Sequence, residues 1–234
     1  MESQGKNFKL LNMFTGIFVA VLVVVPTLGA KFIAVGPFNF PGGTLIFPLV
    51  FIVNGVLTEV YGFARSRRVI WIGLACQALA ALSWWLVGIW PAAPFWHNQS
   101  AYATVLGVAP RITLASFSAY LCGEFIKSTL LSKMKFMQQG RRGLAQVWRF
   151  IASSIVGELV DSAVFMTVAF AGTISTSDFL KTAVTLWIAK VIYEAVALPV
   201  TVRFSNWVKK FENTDKIDKP EETNYNPFTV FSKD

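Results

Sequence analysis

Apolar residues in this chain run continuously for about twenty positions at a time, and short polar stretches separate the runs. They lie at Leu10–Ile33, Gly43–Gly62, Val69–Trp90, Ile112–Leu131, Leu144–Ala171 and Phe179–Val202. A run of roughly 20 apolar residues is long enough as a helix to cross a hydrocarbon core of about 30 Å. The runs do not alternate apolar with polar positions as the strands of a membrane barrel do. The pattern therefore predicts an all-α integral membrane protein with six transmembrane helices. The fifth run is longer than a crossing needs, which puts its first turns at the interface. The first run exceeds the roughly 7–15 residues of a signal-peptide core, so it reads as an uncleaved helix. Residues 1–210 form the expected six-helix domain, and 211–234, charged and proline-containing, read as a mobile cytoplasmic tail.

Charge orients the runs. Only 15% of residues are charged, against about 25% in a soluble domain, and the mean hydropathy is +0.54. Lys6 and Lys9 precede run one, Arg65, Arg67 and Arg68 follow run two, and Lys133, Lys135, Arg141 and Arg142 follow run four. Arg203, Lys209, Lys210, Lys216, Lys219 and Lys233 follow run six, whereas the opposite connections carry only Lys31, Arg111 and Lys181. Positive-inside bias then predicts both termini in the cytoplasm and the 91–110 loop, bounded by Pro91, Pro94 and Pro110, outside. The high pI of about 9.6 is thus a topology signal, and no nucleic-acid partner is expected.

Ionisable groups at membrane depth cost roughly 2.5–3.5 kcal/mol each on insertion scales and turn toward one another or a wet cavity. Glu59, Glu124, Lys127, Arg149, Glu158, Asp161, Lys190 and Glu194 all fall in or near the runs. Asp161 and Lys190 stand equidistant from the turn at Ser175 and Thr176, so an antiparallel hairpin sets them level and able to pair. Glu158 shares a face with Asp161, and Glu194 shares one with Lys190. That leaves three acids around one base, with a carboxylate to spare. In run two, Asn54 and Thr58 share a face, and Phe47-Pro48 makes an interrupted span of the kind that lines transporter sites. Lys127 and Arg149 lie nearer the cytoplasmic end, where long side chains reach for the interface.

The chemistry of enzymes is not suggested. Cys76 and Cys122 have no metal-ligand spacing, His97 is the sole histidine, and there is no phosphate-binding glycine loop. No cofactor is expected, and an ATP-driven step would need another subunit.

Several segments together resemble the queuosine precursor transporter family, formerly grouped as a vitamin uptake family. They are Phe47-Pro48-Leu49 leading into Leu57-Thr58-Glu59-Val60-Tyr61-Gly62, then Arg67-Arg68-Val69-Ile70-Trp71. Arg111-Ile112, Ala115-Ser116-Phe117, Ala119-Tyr120-Leu121 and Gly123-Glu124-Phe125 follow in run four. The most specific is Ser153-Ser154-Ile155-Val156-Gly157-Glu158-Leu159-Val160-Asp161-Ser162 in run five, continuing to Ala169-Phe170-Ala171-Gly172. Lys190, Glu194 and Pro199 complete the set in run six. Gly55 stands where the family pattern carries an acid, and Lys127 where it carries a small polar residue.

The resemblance implies uptake across a bacterial inner membrane of 7-cyano-7-deazaguanine or its aminomethyl relative, for tRNA modification. It implies a secondary transporter, the alternative being the substrate-binding membrane subunit of a multi-component vitamin importer. The candidate binding residues are Asn54, Glu59, Tyr61, Arg149, Glu158, Asp161, Lys190 and Glu194. Asp161 or Glu158 would accept the donors of the guanine-like edge. Arg149, Lys190 or Asn54 would donate to the ring carbonyl, and Phe51, Tyr61 or Phe165 would stack on the ring. Expected partners are this solute and membrane lipid; oligomeric state is open, a homo-oligomer included.

Overall fold

The computed structural model describes residues 8–28, 30–35, 38–46, 48–107, 110–172 and 175–229. Expectations that rest on Phe47, Lys6 and Lys233, and on the side chain of Arg111, fall outside what it describes. The architecture is helical apart from one short hairpin. In order come α1 (Leu11–Leu28), β1 (Phe32–Val35), β2 (Phe38–Pro41), a 3₁₀ turn (Gly42–Leu45), α2 (Pro48–Tyr61), α3 (Phe63–Ile89), α4 (Gln99–Leu106), α5 (Pro110–Met137), α6 (Leu144–Phe170) and α7 (Thr176–Phe211).

Among the described residues, four helices are long and apolar enough to cross a membrane: α1, α3, α6 and the Phe179–Phe211 part of α7. The fourth predicted run lies within α5, which has 28 residues but carries Glu124, Lys127, Lys133 and Lys135. Glu124, Lys127 and Lys135 are buried in the bundle whereas Lys133 is exposed, and α5 against α6 is the most extensive helix pair in the fold. Close approach there depends on two glycines. A methyl group on Gly123 would sit 2.7 Å from Asp161 Cβ, and one on Gly157 would sit 2.7 Å from Lys127 Cβ.

The first two runs depart from expectation. Continuous helix was predicted over Leu10–Ile33, yet α1 stops at Leu28, two residues after Pro26. Phe32–Val35 instead pairs antiparallel with Phe38–Pro41. This run of β-branched and aromatic residues is apolar enough to be taken for helix, which hides the strand from a hydropathy reading. Gly42 and Gly43 then lie against the end of α1, where any side chain would meet the Leu28 and Val25 carbonyls at 2.7 and 2.6 Å. The second run is correspondingly broken: α2 starts at Pro48 and has only 14 residues, about 21 Å at 1.5 Å per residue. Proline at the first helical position costs no hydrogen bond, which fixes the start.

α1, α2 and the first half of α3 form the hydrophobic core. Phe14 and Phe18 of α1 meet Leu57 and Tyr61 of α2 and Ile70 and Leu74 of α3. α7 differs. It buries none of its most apolar window in the chain, and Leu180, Val184, Ile188, Ile192, Val196 and Val200 form an exposed stripe at i, i+4 spacing that suits lipid. Within the 91–110 segment, α4 forms two turns tied back to α3 by Gln99 Nε2 donating to the Gly88 carbonyl at 2.8 Å and by Tyr102 Oη donating to the Trp84 carbonyl at 3.1 Å.

The segment after α7, expected from its composition to be mobile, makes hydrogen bonds across one end of the bundle within residues 212–229. Lys216 N–H donates to the Val60 carbonyl at 3.0 Å, and Asp218 accepts from Phe63 N–H at 2.8 Å and Ser132 Oγ at 2.6 Å. Arg67 donates to the carbonyls of Asn224 and Asn226 (2.9 Å to the latter), and Trp71 Nε1 donates to the Pro227 carbonyl at 2.6 Å. Polar side chains here satisfy backbone and helix-start groups, a use that composition alone does not reveal.

Candidate functional site

The helices gather the buried charge into two separate clusters. The first lies mid-bundle between α2, α5, α6 and α7. Lys190 of α7 contacts Asp161 of α6 and lies 3.5 Å from Glu158, the level pairing expected of an antiparallel hairpin. One turn further along α7, Glu194 pairs with Lys127 of α5. Lys127 Nζ also stands 4.4 Å from the centre of the Phe51 ring on α2. Glu124, one turn before Ser128 on α5, accepts from Asn54 Nδ2, which reaches Ser128 Oγ at 3.1 Å as well. Ser66 Oγ donates to Asn54 Oδ1 at 2.7 Å, and Thr58 Oγ1 donates to Ser66 Oγ at 2.9 Å.

This cluster is richer than the three acids and one base expected. It holds the carboxyls of Glu124, Glu158, Asp161 and Glu194 against the ammonium groups of Lys127 and Lys190. Glu124, Tyr120 and Ser128 were missed as candidates. Their i, i+4 spacing along α5 was the available signal, since it sets them on one face. Gly55 makes room for Phe150: a methyl group there would lie 2.9 Å from the ring. Lys127 does not reach for the interface as expected; it is buried and paired.

The second cluster takes three of the sequence candidates away from the first. Arg149 grips Glu59 with two nitrogens, Nε at 2.9 Å from Oε2 and Nη2 on Oε1. Lys209 Nζ lies 2.6 Å from the same Glu59 carboxylate and 3.0 Å from Asp215. Lys135 bonds the Glu59 carbonyl and the Lys216 carbonyl, the latter at 2.5 Å, and pairs with Asp215 at 2.6 Å. Arg149 Nη1 also donates to the Arg141 carbonyl at 2.6 Å and to Gln138 Oε1 at 3.0 Å. Tyr61 belongs to this end too: its ring packs on Phe8 and Phe14, and its hydroxyl donates to Glu212 at 3.3 Å. Phe165 packs on Phe170 within α6. Of the eight candidates, Asn54, Glu158, Asp161, Lys190 and Glu194 come together, while Glu59, Tyr61 and Arg149 sit apart. Burial alone would raise the Asp215 carboxyl, but Lys135 and Lys209 beside it hold it below the usual carboxylate range.

A cleft opens on the first cluster, lined by Phe51, Lys127, Phe150, Ser154, Glu194 and Thr201, with a volume of about 30 Å³. Pockets for small organic ligands measure on the order of 300–1,000 Å³, so the bundle is closed around this site. No group of three His, Cys, Asp or Glu that could hold a metal ion occurs among the described residues.

Buried carboxylates held mid-bundle beside a broken helix are an arrangement that transporters use. The sequence matches the family model described as "Putative vitamin uptake transporter" over residues 41–204. The chain belongs to that family. It is a multi-pass membrane protein of a transporter family. Two relatives carry the name "Probable queuosine precursor transporter". One, from Bacillus subtilis (strain 168), is 26% identical over 160 residues, covering 67% of this chain and 68% of the relative. The other, from Haemophilus influenzae (strain ATCC 51907 / DSM 11121 / KW20 / Rd), is 25% identical over 162 residues, covering 68% of this chain and 63% of the relative. No solved structure matches.

Proposed function

We propose that this protein is an inner-membrane secondary transporter that imports 7-cyano-7-deazaguanine or 7-aminomethyl-7-deazaguanine for tRNA modification. The observation that carries the reading is the mid-bundle cluster, whose four carboxyls outnumber its two bases. A deazaguanine edge presents adjacent N–H donors, and a carboxylate accepts two of them side by side. Asp161 is engaged by Lys190, which makes Glu158 the carboxylate for the ligand, with Asn54, Glu194 and Lys127 around it. Phe51 is the ring best placed to stack. Arg149 is withdrawn from the site, because Glu59 occupies its guanidinium.

The names of the two relatives support the substrate class. Rescue of tRNA queuosine by supplied precursors, in cells unable to make them, tests it directly. Purified protein should be stabilised by the deazaguanines and not by flavin, biotin or thiamine. A response to a vitamin alone, together with copurifying ATPase and scaffold subunits, would favour the multi-component importer instead.

The same reading includes six crossings with both termini in the cytoplasm. The hairpin, 3₁₀ turn and α2 together make the second crossing, and α5 makes the fourth. With Cys76 and Cys122 replaced by alanine, Ser100→Cys should react with an impermeant reagent from outside and Arg141→Cys should not. The opposite labelling would invert the topology.

A further inference from the structure

Three buried polar atoms near the α5–α6 crossing have no hydrogen-bond partner among the described residues: Tyr120 Oη, Glu158 Oε2 and Ser162 Oγ. Lys190 Nζ, 3.5 Å from Glu158 Oε2, is too distant for a good bond. Each buried group left unpaired costs about 1–3 kcal/mol, and such groups in a folded chain have a cause.

Their placement is not scattered. α5 and α6 run antiparallel and cross where Gly123 meets Gly157 and Asp161. One turn from that crossing, away from the docked C-terminal segment, the next inward position on α5 is Tyr120 and the matching position on α6 is Ser162. Ser162 stands one turn beyond Glu158, and Glu158 one turn beyond Ser154, which lines the closed cleft. A polar track thus leads from the cleft along α6 to the three unpaired atoms. On α5, Tyr120 stands one turn before Glu124 on the same face, which sets it beside the carboxylate cluster. Its ring stays in the apolar core, 6.3 Å from the Phe18 ring centre.

We infer that Tyr120, Ser162 and Glu158 form the subsite that reads the lactam edge of the transported base. The inference rests on the deazaguanine reading above and gives it named contacts. The Glu158 carboxylate accepts the ring N–H and the exocyclic amine side by side, Oε2 being the oxygen without a hydrogen bond in the ligand-free protein. Tyr120 Oη and Ser162 Oγ donate to the adjacent ring carbonyl, the part for which Arg149 is not free. An acceptor–donor set of this kind matches a ring carrying N–H beside C=O and rejects one in which the carbonyl is absent, because the two hydroxyls would then stay buried without a partner.

The test compares wild type with Tyr120→Phe, Ser162→Ala and the double variant. Two probes are used in thermal-shift and binding titrations: 7-cyano-7-deazaguanine and its 6-deoxo analogue, which lacks the ring carbonyl and, with it, the adjacent ring N–H. Each substitution removes only an unpaired hydroxyl, so ligand-free stability should stay level or rise. Affinity for the parent base should fall on the order of tenfold per variant, and the preference for parent over analogue should shrink most in the double variant. Lower ligand-free stability with unchanged affinity would make the hydroxyls structural, satisfied by bound water, and would overturn the subsite. Unchanged affinity and unchanged preference would overturn it too. If wild type binds neither probe, the deazaguanine reading itself fails and takes the subsite with it; if wild type binds and the variants match it, only the subsite fails.

Discussion

The two charged clusters use the same residue types to opposite ends. At the end carrying the docked C-terminal segment, Glu59 is enclosed by Arg149, Lys209 and the chain around Lys135. Both carboxylate oxygens are bonded, and so is the Glu59 carbonyl. Mid-bundle, one Glu158 oxygen has only the Lys190 ammonium at 3.5 Å and no hydrogen bond, and the hydroxyls of Tyr120 and Ser162 have no hydrogen-bond partner among the described residues. A saturated cluster has no capacity left for a solute and holds helices together. An unsaturated one carries an energetic debt that a ligand can relieve. Saturation, more than the presence of charge, separates scaffold from site in this protein.

The sharpest way to break that distinction is at Glu59. Glu59→Ala leaves Arg149 buried without its carboxylate and Lys209 with Asp215 as its remaining acid, and losing one member of a buried pair costs on the order of 3–5 kcal/mol. Folded, monodisperse protein should fall sharply in detergent extracts; robust expression with lost uptake would instead place Glu59 in the site.

Next in size are the mid-bundle substitutions. Asp161→Asn and Lys190→Met should each abolish most uptake, partly through folding. Glu158→Gln should leave thermal stability near wild type and weaken binding about tenfold or more, since its amide turns a donor toward the ligand's donors. Normal transport by Glu158→Gln would rule the carboxylate out as the recognition group. Uptake restored in the Asp161→Asn/Lys190→Met double variant would make that pair scaffold as well.

A smaller effect is expected at the docked segment. Asp218→Ala removes the acceptor of Phe63 N–H and Ser132 Oγ, a loss of about 1–3 kcal/mol. Residues 212–229 should become more sensitive to limited proteolysis while substrate affinity is retained. A drop in affinity equal to that of Glu158→Gln would join the two regions functionally.

The smallest effect is in pH. Asp215 has a lowered folded pKa, so its contribution to docking is complete above the unfolded value of about 3.9 and is lost only as pH falls through the folded one. Protease sensitivity of the segment should therefore be flat from pH 5 to 8. A rise already at pH 6 would mean that another group governs the docking.

Much of this was legible in the sequence where it depended on one-dimensional spacing. The apolar runs marked the long helices, and equal distance from a turn paired Asp161 with Lys190. What depended on the continuation of an element was not legible. α7 runs nine residues past the expected Val202, to Phe211, and that extension delivers Lys209 to Glu59. Without it, Glu59 and Arg149 read as two more polar groups near a site. The aliphatic–aromatic stretch of the hairpin was misread, and the contacts of the polar stretch after α7 went unseen, for a related reason: hydropathy records preference for oil or water and is blind to backbone hydrogen bonding.

The reach of the closing contacts in sequence has a consequence for how the chain is made. Phe63 N–H waits for Asp218, Arg67 for Asn224 and Asn226, and Trp71 for Pro227, each separated by more than 150 residues. A ribosome working at about 5–20 residues per second leaves these groups near the start of α3 without their partners for roughly ten seconds or more. During that interval water must hydrate them, and the bundle stays open at that end until nearly the last of the described residues has emerged.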